Sequence, residues 1–109
     1  ALPLPRRPGL VRQSGRTLHT LGDIALRRGD LDRAESIFEE SMVSASSIGD
    51  RLLVAVNTLF LGRIAAARGD RELARARFDE ARVLYEELGD QEGVAAALEA
   101  LRKTETGER

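Results

Sequence analysis

The 109-residue sequence contains no cysteine, no tryptophan and only one histidine. The absence of cysteine excludes disulfide bonds and metal sites built on thiolates. The single histidine, His19, has only Asp23 as a neighbouring carboxylate on its predicted helix, and two ligands are too few for a zinc site. We therefore predict no metal ion and no cofactor.

Long apolar runs and a strong net charge are also missing. No segment approaches the roughly 20 apolar residues of a membrane-spanning helix, and no signal-peptide pattern is visible at the start. The formal net charge is −1, which argues against nucleic acid or an anionic membrane as a direct partner. The length suits one domain, and we expect it to act in the cytoplasm.

Proline is confined to positions 3, 5 and 8. Because proline fixes φ and lacks a backbone donor, residues 1–9 are predicted not to form a helix. They are interpreted as a Pro-rich linker or a disordered tail, and the sequence favours neither over the other. At the other end, residues 104–109 contain no apolar side chain and are predicted to be a second disordered tail.

An internal repeat of 40 residues dominates the rest of the chain. Residues 21–50 and 61–90 are identical at 13 of 30 positions, whereas unrelated segments of average composition would share roughly two. Glycine can end a helix in the left-handed conformation and aspartate can cap the next one, so a Gly-Asp pair predicts a turn. Such pairs recur every 20 residues, at 29–30, 49–50, 69–70 and 89–90.

Five helices follow from these turns, at residues 10–28, 31–48, 51–68, 71–88 and 91–103. Short turns make neighbouring helices antiparallel, and stacked hairpins bury a core that one hairpin cannot. Helical spacing predicts that the core contains Leu18, Leu21, Gly22, Ala25, Leu31, Ala34, Phe38, Ala45, Ile48, Leu61, Ile64, Ala65, Ala74, Phe78, Ala81, Leu88, Val94, Leu98 and Leu101. Phe60 is also predicted to be in the core, with surface exposure as the alternative.

The repeated residues resemble the tetratricopeptide repeat pattern. They are Leu21, Gly22, Ala25, Gly29, Ala34 and Phe38 in the first unit, and Leu61, Gly62, Ala65, Gly69, Ala74 and Phe78 in the second. The resemblance implies an all-α, right-handed solenoid of antiparallel helix pairs over residues 10–103, with two repeats and a C-terminal capping helix. The 40-residue period and the sequence at 84–90 resemble repeats in C-terminal regions of bacterial transcriptional regulators and signalling ATPases.

The resemblance also implies a binding site, because the first helices of such repeats line a concave groove that holds a peptide or partner domain. The corresponding positions are Arg16, His19, Asp23, Arg27, Val56, Leu59, Arg63, Ala66, Ala96, Glu99 and Lys103. These side chains would place mixed charge around an apolar patch of Val56 and Leu59. The groove lacks the Lys-Asn cluster with which some members of the family bind a C-terminal carboxylate.

Other motif-like features are interpreted as structural. Arg-Gly-Asp occurs at 28–30 and again at 68–70, and its presence at equivalent repeat positions indicates a turn rather than an adhesion motif. His19 has no nucleophile or substrate pocket to serve, so it is interpreted as a groove or surface residue. We predict a non-enzymatic protein–protein interaction module, a fragment of a bacterial regulatory protein. The alternative is a structural spacer or a scaffold that self-associates.

Overall fold

The computed structural model describes residues 8–107, with side chains described from residue 15 onward. This part of the chain is all-α and contains no strand. Its helices are α1 (Pro8–Arg27), α2 (Leu31–Ile48), α3 (Arg51–Ala67), α4 (Arg71–Leu88) and α5 (Gln91–Thr106). Consecutive helices pack against each other, and α3 also contacts α1 and α5. The predicted five-helix repeat architecture is therefore confirmed.

The outer helix ends differ from their predicted bounds. The first helix includes Pro8 and Gly9, so the prediction that residues 1–9 form no helix is wrong for these two. Proline is tolerated there because the first turn leaves its backbone donors unpaired. The last helix continues to Thr106, where Thr104 Oγ donates to the Ala100 carbonyl at 2.8 Å. Residues 1–7 and 108–109 of the two predicted tails lie outside the described residues.

The four turns between helices follow the Gly-Asp pairs, as predicted. Gly49 and Gly89 both have φ 72°, a left-handed conformation that strains residues with a Cβ. The cap prediction is confirmed for three aspartates, which accept hydrogen bonds from backbone N–H groups three residues later: Asp50, Asp70 and Asp90. It is wrong for Asp30, whose side chain makes no such bond.

The core consists of two clusters made largely of alanine and aromatic side chains. The first joins α1 and α2 to Ile64 of α3, and the second joins α3, α4 and α5. Burial is confirmed for Gly22, Ala25, Ala34, Phe38, Ala45, Ile64, Ala65, Ala74, Phe78 and Ala81. Leu18, Leu31, Leu61, Val94 and Leu101 are half-buried.

Four residues predicted to be in the core are exposed instead: Leu21, Ile48, Leu88 and Leu98. Ile48 and Leu88 are the last residues of α2 and α4, where little structure remains to cover them. The small residues bring the helix axes close together, so the larger side chains at the edges of each apolar stripe stay outside.

Close helix contact within each repeat depends on glycine. A Cβ at Gly22 would lie 2.9 Å from the Phe38 ring, and a Cβ at Gly62 would lie 2.6 Å from the Phe78 ring. Both distances are shorter than an ordinary van der Waals contact, which confirms that these glycines are contact points. The same arrangement joins α4 to α5, where a Cβ at Gly93 would lie 2.1 Å from Tyr85.

Candidate functional site

The predicted binding residues lie on α1, α3 and α5, which form a row because α3 contacts both of the others. We call this surface the first-helix face. Its exposed members are Arg16, Arg27, Arg63, Ala66, Glu99 and Lys103, and its half-buried members are His19, Asp23, Val56 and Ala96. These ten side chains are available, in whole or in part, to a partner.

Leu59 was wrongly predicted to be a binding residue. Its exposed fraction is 4%, and it belongs to the core cluster that includes Ala55 and Phe78. The reason is the position of α3, which contacts all four other helices. A central helix buries more of its circumference than a terminal one, so the position that is half-buried on α1 (His19) and exposed on α5 (Glu99) is buried on α3.

The negative charges of this face are neutralised within their own helices. Asp23 forms an ion pair with Arg27 at 3.2 Å, and Glu99 forms one with Arg102 at 2.8 Å. The hydrogen bond from Arg102 lowers the pKa of the Glu99 carboxyl below its ordinary value. These two pairs remove most of the mixed charge that the sequence predicted.

Three cations on the same face have no ion pair with any described residue. They are Arg16, Arg63 and Lys103, one on each helix of the row. Lys103 contributes, after Arg102, to the lowered pKa of the Glu99 carboxyl. The face still holds more cations than carboxylates, so its charge is positive although the net charge of the chain is −1. A surface of this kind is complementary to carboxylates.

An aromatic group lies beneath Arg63. The guanidinium carbon of Arg63 is 4.6 Å from the centre of the Phe60 ring, within the range of a cation–π contact. Phe60 is half-buried and packs against both core clusters. It therefore lies between the two predicted alternatives, a fully buried core residue and an exposed surface residue. The His19 ring meets it edge-on at 4.7 Å and also meets Phe38 at 5.3 Å.

A chain of hydrogen bonds runs from His19 into the core. Nδ1 of His19 lies 2.7 Å from Oδ1 of Asn57, whose Nδ2 donates to Ser41 Oγ at 2.9 Å. Ser41 Oγ in turn donates to the Gly15 carbonyl at 2.7 Å. Asn57 and Ser41 are fully buried. The interpretation of His19 as a plain groove or surface residue is therefore incomplete, because the structure makes it the outer end of a buried network.

The sequence contains a sign of this network, a lone amide side chain, that helical periodicity does not reveal. Asn57 is the only amide side chain in the stretch 52–60, where every other residue except Thr58 is apolar. Its equivalent 40 residues later is Ala97, and the equivalent of Ser41 is Ala81; both alanines are fully buried. The Ser41–Asn57 contact between α2 and α3 is thus polar, whereas the equivalent positions on α4 and α5 are apolar.

Besides Glu99, Tyr85 is a titrating side chain close to this row whose pKa is shifted by its environment. Burial raises the pKa of its phenol above the ordinary value. The negative charge of Asp90 adds to the increase, and the positive charge of Arg63 opposes it.

Neither a metal-binding cluster nor a membrane-spanning helix is found among the described residues. No group of three or more histidine, aspartate or glutamate side chains there is arranged to hold a metal ion. No helix between residues 8 and 107 is both long and apolar enough to cross a membrane.

Comparison with known proteins identifies a family. A family model described as "Tetratricopeptide repeat" matches residues 13–87, which include most of α1 and nearly all of α2 to α4. No curated protein and no solved structure matches the chain.

Proposed function

Because this chain belongs to the tetratricopeptide repeat family, we propose that it binds an acidic peptide or partner domain on its first-helix face. Repeats of this family generally mediate protein–protein interactions. The contact would lie on the first-helix face, and the partner would carry carboxylates. It involves no bond chemistry, so we propose that the protein is not an enzyme.

The observation that carries the proposal is the arrangement of Arg63 over Phe60. The guanidinium group is exposed, lacks an ion pair with any described residue, and lies 4.6 Å from the ring centre. Arginine and aromatic side chains are the residues that most often dominate binding energy at interfaces. An arginine held by an aromatic ring also loses less side-chain entropy on binding a carboxylate.

The surroundings of Arg63 define what the partner needs. Arg16 on α1 and Lys103 on α5 supply a cation on either side of α3, while Val56 and Phe60 supply partly exposed apolar surface between them. A suitable partner therefore carries carboxylates flanking an apolar or aromatic side chain. Binding through exposed charges weakens as salt screens them.

Selection of peptides from a displayed random library tests this proposal. We expect the full chain to enrich acidic peptides with an apolar centre. Arg63→Glu should weaken their binding by about tenfold or more, as truncation or reversal of a central arginine does. Arg75→Glu on α4 is the matched control, because Arg75 is also exposed and lies on the second helix of its repeat, outside the first-helix face. Equal binding by the two variants would reject the first-helix face as the site.

Self-association of a spacer or scaffold is the alternative. Exposed apolar side chains such as Val43 and Leu52 give it some support. Light scattering over a range of concentrations separates the two functions, because a scaffold forms concentration-dependent dimers whereas a peptide-binding module keeps its mass. A scaffold would not bind the acidic peptide, so adding the peptide would leave the mass of its dimers unchanged.

We further propose that the chain acts in the cytoplasm as part of a bacterial regulatory protein. The support is the 40-residue period, the resemblance of residues 84–90, and the use of 16 arginines against one lysine, a bias typical of GC-rich genomes. Chromosomal Arg63→Glu should change the transcript levels of regulated genes, and Arg75→Glu should not. Unchanged transcripts in both strains would argue against a regulatory role.

A further inference from the structure

The imidazole of His19 has one nitrogen that the buried network does not use. Its Nδ1 is hydrogen-bonded to Asn57, whereas its Nε2 has no hydrogen-bond partner among the described residues. Within the described part of the chain, no shielded side-chain nitrogen or oxygen of a buried or half-buried residue lacks such a partner. Nε2 therefore reaches solvent, although the side chain as a whole is half-buried. It is open to a partner on the first-helix face.

The direction of the hydrogen bonds decides which nitrogen of this imidazole carries the proton. The Gly15 carbonyl can only accept, so the single hydroxyl proton of Ser41 is directed to it. Ser41 Oγ then accepts from the amide nitrogen of Asn57 at 2.9 Å, which turns the amide oxygen towards His19. That oxygen can also only accept, so Nδ1 of the imidazole is the protonated nitrogen. In a neutral imidazole the other nitrogen, Nε2, is then a lone-pair acceptor.

Three contacts hold the imidazole ring in this orientation. Nδ1 lies 2.7 Å from Oδ1 of Asn57, and the rings of Phe38 and Phe60 meet the imidazole edge-on at 5.3 Å and 4.7 Å. A half-turn of the imidazole would exchange its nitrogens for carbons and break the bond to the fully buried Asn57. Nε2 is therefore a fixed acceptor on the first-helix face.

The charges near this acceptor restrict the group that can bind it. A carboxylate has only lone pairs to offer and cannot donate to Nε2. A lysine or arginine of the partner would meet two cations, because Arg63 lies 4.6 Å from the Phe60 ring and Arg16 is one helical turn before His19. The nearest carboxylate on the same helix, Asp23, is already in an ion pair. A neutral O–H or N–H group is the donor that remains.

We propose that Nε2 of His19 accepts a hydrogen bond from a tyrosine hydroxyl of the partner, so that His19 selects tyrosine as the apolar centre of an acidic peptide. This inference rests on the function proposed above, since it requires a partner on the first-helix face. Tyrosine joins a neutral donor to an aromatic body. Its ring suits the partly exposed Val56 and Phe60, and its hydroxyl suits Nε2. Phenylalanine offers the same ring without the donor.

Asn57 acts on the partner only through His19. Its amide oxygen keeps the imidazole proton on Nδ1. Without that oxygen the proton can move to Nε2, which would turn the acceptor into a donor. Asn57 is therefore a positioning residue for the selection of tyrosine.

Parallel selections from a displayed random peptide library test the proposal at about pH 8, where an imidazole is ordinarily neutral. Relative to the unselected library, we expect the full chain to enrich acidic peptides in which tyrosine exceeds phenylalanine by about fivefold, the effect of one neutral hydrogen bond. His19→Phe should still enrich acidic peptides, with tyrosine and phenylalanine at the same level.

The parent protein separates this proposal from the one on which it rests. Enrichment of acidic peptides with equal tyrosine and phenylalanine would overturn the role of His19 and leave the first-helix face as the site. Absence of any acidic enrichment would overturn both proposals.

Asn57→Ala and Thr58→Ala are matched variants for the positioning role. Both remove hydrogen bonds of a buried polar side chain on α3, but Thr58 Oγ bonds only the Val54 carbonyl, at 2.8 Å. Asn57→Ala should lose the preference for tyrosine, and Thr58→Ala should keep it. The same preference in both variants would overturn the positioning role, because general destabilisation affects the two alike.

Nitrogen-15 NMR of the histidine-labelled chain tests the acceptor without any variant. His19 is the only histidine, so the spectrum contains one pair of imidazole signals. At about pH 8, where imidazole is ordinarily neutral, we expect Nδ1 to be protonated and Nε2 to be unprotonated. The Nε2 signal should shift on addition of an enriched tyrosine peptide and not of its phenylalanine counterpart. A proton on Nε2 of the free neutral protein would overturn the proposal.

Discussion

Nδ1 of His19 lies 2.7 Å from Oδ1 of Asn57, so a side-chain hydrogen bond joins the first helices of two consecutive repeats. Asn57 Nδ2 donates to Ser41, and Ser41 donates to the Gly15 carbonyl. This direction leaves the amide oxygen facing the imidazole, which must therefore carry a proton on Nδ1. The network holds α3 in one register against α1 and α2.

Asn57→Ala should lower the free energy of unfolding by about 1–3 kcal/mol, because it removes both hydrogen bonds of the buried amide, one with His19 and one with Ser41. Urea denaturation followed by circular dichroism measures the change. The triple variant His19→Leu, Ser41→Ala, Asn57→Ala copies the apolar side chains of the second repeat. It should lose less than the sum of the three single changes, and strict additivity would contradict a connected network.

Gly62→Ala should destabilise the second repeat, because the new Cβ would lie 2.6 Å from the Phe78 ring. Overpacking costs about 1–3 kcal/mol, and alanine regains about 1 kcal/mol of that through its higher helix propensity. The balance is a loss of up to about 2 kcal/mol, which thermal unfolding should show. Gly62→Ala should cost less stability in a protein that already carries Phe78→Leu than it costs in the parent protein. An equal loss in both backgrounds would mean that the ring is not the obstacle.

Asp70→Ala and Asp30→Ala form a matched pair at equivalent repeat positions. Asp70 accepts a hydrogen bond from the Leu73 N–H at 3.1 Å, whereas the Asp30 side chain makes no cap bond. Loss of a helix N-cap costs about 1 kcal/mol. Denaturant titration should therefore show a larger loss for Asp70→Ala, and equal losses would show that cap bonding is not the cause.

Alkaline pH should destabilise the protein through Tyr85. Burial raises the pKa of its phenol in the folded state, whereas the unfolded chain deprotonates near pH 10. The folded state therefore keeps the phenol proton to a higher pH than the unfolded state does. The free energy of unfolding is unaffected by this group below about pH 10, and it falls as pH rises through the pKa of the folded state.

Tyr85 is the only tyrosine and there is no tryptophan, so ultraviolet absorbance follows this phenolate alone. Tyr85→Phe should lose this alkaline dependence while keeping the ring against Gly93. An ordinary pKa in the folded protein would contradict the effect of burial on this side chain.

Most of the fold could be predicted because its signals are local. Gly49 and Asp50 determine their turn through backbone conformation and a cap three residues away, and the bounds of α2 and α4 agree with prediction. The repeat itself required only a comparison of the sequence with itself. The site could be predicted only in part, since exposure depends on how many neighbours a helix has.

The amino-acid sequence by itself determined the five helices, the turns and the small residues that bring the helices together, because each depends on contacts within a few positions or on the period of 40. Tertiary structure alone decided that Leu59 is buried and Leu21 exposed, since equivalent positions differ in what covers them. It also decided which charges are paired, and it joined His19, Asn57 and Ser41, which lie far apart along the chain. These features depend on how whole helices pack against each other, and no local sequence pattern encodes that packing.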